Sequence, residues 1–165
     1  MIDRPLIRTS PLAAVLVVLI GAAAARAEHF EIELTIQTPR EKVTSHSDTS
    51  PPPQGLNPRP VCHARRGEDL VLQFFFTSNF PHGTKKGVGV HYFIERQGKD
   101  GTADAGKSDS AALQGTLVMN FKPDGKAGLR QQFRIDEPGK YLVRVESQQS
   151  DSDHEHFSAI DLIVD

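Results

Sequence analysis

The stretch Asp151 to Phe157 reads DSDHEHF, with three carboxylates among its first five residues and two histidines at i, i+2. In extended chain that spacing puts both imidazoles on one face. Imidazole suits copper and zinc, but a closed site needs three or four ligands. The chain holds seven histidines, His29, His46, His63, His82, His91, His154 and His156. His82 falls in a loop that a sandwich can bring to the same end as DSDHEHF. The metal reading is therefore His82, His154 and His156, with Asp153 or Asp151 as an oxygen ligand, for copper or zinc. Against it stands the plainer reading that these are surface histidines in two unrelated loops and that no cofactor is bound. A calcium loop of the EF-hand kind does not fit, because Leu162 stands at the twelfth position where a bidentate Glu is needed.

Other chemistry finds little to stand on. The chain has no Gly-x-Ser-x-Gly turn, and GTKKGVG lacks the spacing of a phosphate loop. Cys62 and His63 are adjacent, so in a strand they point to opposite faces and cannot form a dyad. Cys62 is the only cysteine, which excludes an internal disulfide. It reads as a small buried hydrophobe, with an intermolecular disulfide or a metal thiolate as the alternatives. The expectation is that the protein is not an enzyme.

The elements that must position these residues begin after a leader. Arg4 and Arg8 precede an uncharged apolar stretch from Leu12 to Ala25, and Ala25-Arg26-Ala27 is a small-x-small cleavage signal. Residues 1–27 therefore read as a secretory signal peptide, and the apolar run is shorter than the roughly 20 residues that span a bilayer. The expected product is exported, periplasmic or extracellular, with no membrane span after cleavage. Losing Arg4, Arg8, Arg26 and Asp3 takes the 19 basic and 21 acidic residues of the whole chain to 16 and 20, a net charge of −4. A mildly acidic chain without basic clusters is a poor partner for nucleic acid.

Residues 28–165 then read as one domain. Phe30 to Gln37 alternates apolar and polar residues, the period of a strand with one buried face. Thr38 to Pro60 is rich in Pro, Ser and Thr, and reads as a long surface excursion. Leu70 to Phe76 is expected to bury its even positions, and Gly87 to Glu95 to bury Val88, Val90, Tyr92 and Ile94 with His91 on the opposite face. Ser108 to Gln114 is at most one helical turn. Leu117, Met119 and Phe121 share a phase, as do Leu129, Gln131, Phe133 and Ile135, with PDGKAG between the two runs as a hairpin-type turn. Tyr141 to Glu146 and Phe157 to Val164 complete about seven strands. The fold class is all-β, an antiparallel two-sheet Greek-key sandwich, immunoglobulin-like or cupredoxin-like.

Two resemblances sharpen that reading. EPGKYLVRVE resembles the E–F corner of immunoglobulin-like and related bacterial Greek-key sandwiches, which implies structural roles for Pro138, Gly139 and Tyr141, the tyrosine hydroxyl bonding back to the preceding turn. Asn79-Phe-Pro81-His82 and Pro138-Gly-Lys-Tyr141 resemble cupredoxin segments. That family's copper cysteine would fall where Val145 stands, and no methionine follows Met119, so a type 1 copper centre is excluded. An architecture does not fix a function. The leading expectation is a non-enzymatic module that binds a protein, glycan or cell-envelope component through loops at one end; the alternative is an extracytoplasmic copper- or zinc-binding domain. In the last strand, parity puts His154 and His156 in phase with Ile160, Leu162 and Val164. Either that strand begins near Phe157 and leaves the histidines in a loop, or they sit at the mouth of the sandwich.

Overall fold

The computed structural model describes residues 30–46, 59–79, 84–98, 111–147 and 157–165. They form nine strands: β1 (Phe30–Gln37), β2 (Lys42–His46), β3 (Val61–Ala64), β4 (Leu70–Ser78), β5 (Lys85–Arg96), β6 (Ala111–Phe121), β7 (Lys126–Phe133), β8 (Gly139–Ser147) and β9 (Phe157–Val164). One sheet has the order β2-β1-β4-β7 and the other β3-β9-β8-β5-β6. The all-β two-sheet class is as expected, and no helix occurs among the described residues.

Alternation does the work of folding. In β4, Leu70, Leu72, Phe74 and Phe76 are all buried, and the intervening residues are half-exposed. In β5, Val88, Val90, Tyr92 and Ile94 are buried facing the first sheet, and His91 lies on the other face. The centre of the core is aromatic. Phe30 meets Phe121 at 4.9 Å and Phe76 at 5.8 Å between ring centroids, and Phe74 meets Tyr92 at 5.6 Å. Offset and edge-on rings at such distances add to the stabilisation that burial alone supplies.

Four expectations need correction. The count is nine strands rather than seven, because the run from Thr38 contains β2, which pairs with β1 from Gln37↔Lys42 to Glu33↔His46. Its KVTSH sequence buries only Ser45, so it shows no apolar alternation to read. The short β3 was missed for the same reason, and it lies parallel to β9, with Cys62 opposite Leu162. That one pair makes the second sheet mixed rather than purely antiparallel. PDGKAG is a tight turn, with Asp124 at φ 53° and the Gly125 N–H donating to the Lys122 carbonyl at 2.9 Å. It is not a hairpin, since β6 pairs with β5 and β7 with β4, so the chain there crosses from one sheet to the other. Finally, Ala111 to Gln114 is strand: pairing with Glu95 to Phe93 overrides the helical preference of its alanines.

Candidate functional site

The links Ala64 to Leu70, Phe133 to Gly139 and the starts of β6 and β8 meet at one end of the sandwich, the corner end. The EPGKY sequence builds it. The Tyr141 hydroxyl donates to the Glu137 carbonyl at 2.8 Å, and its ring is buried. Burial, chiefly, pushes the Tyr141 phenol above its ordinary value. Gly139 allows the Arg96 guanidinium to lie flat over the turn, because a Cβ there would meet Arg96 Nε at 3.1 Å. Arg96 then donates to the Pro138 carbonyl at 3.0 Å and pairs with Glu137 at 3.3 Å.

The next turn is tied in beside it. The Gly67 N–H donates to the Ile135 carbonyl at 2.9 Å, and the Arg66 N–H to the Asp165 carbonyl at 2.8 Å. Arg134 Nε meets Asp69 Oδ1 at 2.6 Å. Hydrogen bonding by that guanidinium, and then its charge, hold the Asp69 carboxyl below its ordinary range. Burial works to raise the Glu68 pKa, but the Arg65 N–H and the Arg40 guanidinium outweigh it and lower it.

Between these turns lies a cleft of about 440 Å³, lined by Arg96, Ala111, Ala112, Arg134, Ile135, Asp136, Glu137 and Tyr141. Its volume falls within the range of small-ligand sites. Two guanidiniums and two carboxylates face it over a floor that includes buried Ile135 and Tyr141. Such a lining can donate to and accept from a polyhydroxyl ligand. Its described lining includes no histidine, cysteine, serine or threonine.

A second polar group lies on the outer face of the five-stranded sheet. His91 Nδ1 is 3.3 Å from Glu146 Oε1, and Glu146 Oε2 is 2.6 Å from Arg144 Nε. Arg144 also lies 4.5 Å from the Phe157 ring centroid. Phe93, Leu142 and Ala159 form a second buried apolar cluster on the same face. Nearby, Asp161 Oδ1 accepts from Arg59 Nε at 2.8 Å and from Gln97 Nε2 at 2.7 Å.

His82, Asp151, Asp153, His154 and His156 lie outside the described residues, as does His29. The described strand β9 begins at Phe157. The strand ends flanking 80–83 and 148–156, namely Ser78, Lys85, Ser147 and Phe157, all stand at the end opposite the corner, where β2 also ends at His46. Among the described residues no group of three or more His, Cys, Asp or Glu side chains is placed to hold a metal. His46 and His63 are exposed on separate strands. Cys62 is fully buried in the core, and burial, followed by the Glu41 charge, pushes its thiol up to about 12. The corner cleft was not found from sequence. Its charged residues are scattered over 96, 134, 136 and 137, and only the corner motif marked where two of them would converge.

Fold and cleft together define an all-β two-sheet sandwich with a polar cleft among its turns. No family model matches the chain, and no curated protein matches it. Among solved structures, the PmoD soluble domain from Methylocystis sp. is 12% identical over 81% of this chain and 90% of that chain, with a TM-score of 0.47. A chitin binding domain from Burkholderia pseudomallei is 13% identical over 66% and 57%, with a TM-score of 0.40. The catalytic domain of an LPMO from Listeria monocytogenes is 18% identical over 62% and 58%, with a TM-score of 0.32. The likeness stops at all-β architecture.

Proposed function

We propose that the protein is an exported, non-enzymatic binding module that takes a hydroxyl-rich ligand, a glycan of the cell envelope or its surroundings, in the corner-end cleft. The observation that carries this reading is the cleft of about 440 Å³ whose lining combines Arg96 and Arg134 with Asp136 and Glu137. An apolar ligand would strip water from four charged groups without replacing their hydrogen bonds. A sugar offers donors and acceptors to both signs of charge. The turns that carry these groups are held by backbone hydrogen bonds and by Tyr141, so the loop backbone needs little further ordering for binding. A glycan array probed with the chain from Glu28 onward tests the reading. Reproducible binding that Arg134→Ala with Asp136→Ala abolishes supports it. Binding indifferent to those changes, or turnover of the bound glycan, refutes it.

A second reading is an extracytoplasmic copper- or zinc-binding domain using His82, His154, His156 and Asp153. What favours it is topology, since the strand ends flanking 80–83 and 148–156 lie at the same end of the sandwich. Calorimetry with Cu(II) and Zn(II) tests it. Stoichiometric binding lost in the His154→Ala, His156→Ala variant supports this reading, and binding that survives the substitutions removes these ligands from it.

A further inference from the structure

The edges of the two sheets are protected unequally. An open strand edge is a template for another chain, and proteins blunt such edges with short strands, charge or proline. β2 and β3 are short, with five and four residues, and β7 carries Lys126 and Arg130. β6 has none of these devices. Its eleven residues, AALQGTLVMNF, contain no charge and no proline, in a chain that is 24% charged. Among the described residues β5 is its one neighbour in the sheet, and no described strand pairs with its other edge. Val118 is 72% exposed, and the inward-facing Leu113 and Leu117 are only partly buried. The pairing with β5 runs in unbroken register from Val88↔Met119 to Ile94↔Leu113, with the irregularities confined to its ends. The middle of the edge is therefore regular, as strand addition requires.

The sequence of that edge is close to a palindrome in residue type. Around Gly115, Gln114 mirrors Thr116, Leu113 mirrors Leu117, and Ala112 mirrors Val118. An antiparallel pair related by a two-fold axis brings position i opposite j and j opposite i. With the axis at Gly115, leucine meets leucine on the inner face, two small polar side chains meet on the outer face, and Val118 is covered by Ala112 of the second copy. Gly115 is glycine for a reason internal to the monomer: a Cβ there would lie 2.4 Å from Tyr92 Oη. Gly115 itself adds no side chain at the axis, where the Tyr92 hydroxyl lies on the inner face.

We propose that β6 is a self-association edge, and that two copies of this chain pair β6 to β6, antiparallel, about a two-fold axis at Gly115. The occupant is a second copy rather than a foreign strand because the uncharged edge is self-complementary in polarity at each mirrored position from Ala112 to Val118, with leucine opposite leucine. The contact joins the two five-stranded sheets into one ten-stranded sheet.

Sedimentation velocity on the chain from Glu28 onward, which contains every described strand, gives the first readout, with a concentration-dependent monomer–dimer equilibrium expected. Thr116→Lys changes an exposed side chain and brings two lysines close to the axis. It is expected to weaken association by about tenfold or more with an unchanged circular dichroism spectrum. Cross-linking reads the register. In an oxidised mixture of Gln114→Cys and Thr116→Cys chains, the mixed disulfide is expected to dominate over either homodimer, since only that pair is directly opposite. Buried Cys62 does not compete. A chain that stays monomeric up to its solubility limit overturns the proposal. So does association that Thr116→Lys leaves unchanged, cross-linking without preference for the mixed pair, or a monomer that captures only an extended peptide of another protein.

Discussion

The two sides of the sandwich, where the edges of its sheets come together, are closed by different means. On the β2/β3 side the core residues are small and mostly buried: Ser45, Cys62 and Ala64 are enclosed, and Val43 is partly covered. Charge is confined to the rim, where Glu41 accepts from the His63 N–H and Arg40 meets Glu68 at 3.0 Å. On the β6/β7 side the residues are large and only partly covered: Leu113, Leu117, Leu129 and Phe133 pack against the core without being enclosed by it. There the Tyr92 hydroxyl spans the gap to Gln131 at 3.2 Å. The β6/β7 side keeps more apolar surface at its margin and meets the polar cleft at the corner end.

Truncations on the two sides should separate them most clearly. Leu162→Ala, beside fully buried Cys62 on the neighbouring strand, is expected to cost about 2–5 kcal/mol, whereas Leu117→Ala is expected to cost about 1 kcal/mol because its side chain is already partly in water. Equal losses in urea denaturation would mean that the β6/β7 side is as closed as the other. Gly115→Ala comes next. Its methyl must displace the Tyr92 hydroxyl and the ring edge that carries it, so about 1–3 kcal/mol of overpacking is expected, measured the same way. Tyr141→Phe is expected to cost about 1 kcal/mol for the bond to Glu137. A neutral result would show that the corner turns hold the cleft without it.

The pH dependence sharpens the same contrast. Cys62 on the closed side has a folded pKa of about 12 against an ordinary 9.0. Between those values the unfolded chain has released its proton and the folded chain has not. That stability is therefore intact below pH 9 and lost as pH rises towards 12, so Cys62→Ala should flatten the alkaline arm of a stability profile. Asp69, at the cleft, is lowered from 3.8 by Arg134, so its contribution is present above that value and lost as pH falls through the folded pKa. The pair is exposed, and Asp69→Asn should give the smallest change of all.

How much of this was legible depends on where the apolar alternation runs. β1, β4 and β5 each have four or more buried apolar residues at every second position, and their faces could be read residue by residue. β2 and β3 are edge strands whose short sequences bury one or two small residues, so periodicity had nothing to register. The β6–β7 turn was readable as a turn from Asp124-Gly125. That its arms belong to different sheets was not, because local turn chemistry does not say which strands will pair. The corner was legible in EPGKY, and Cys62 as a buried hydrophobe from its residue type. The cleft needed four charged residues from two distant segments, Arg96 and the link after Phe133, and no spacing rule relates them. His82, His154 and His156 lie outside the described residues, and their flanking strand ends lie at the far end from the cleft.

That separation allows a single direct test of which end binds. Amide chemical-shift mapping of the labelled chain, titrated with the strongest array glycan, should place the perturbations at Arg96, Ala111, Ala112 and Arg134 to Glu137. Perturbations centred instead on Ser78, Lys85, Ser147 and Phe157 would contradict the corner-end cleft as the binding site.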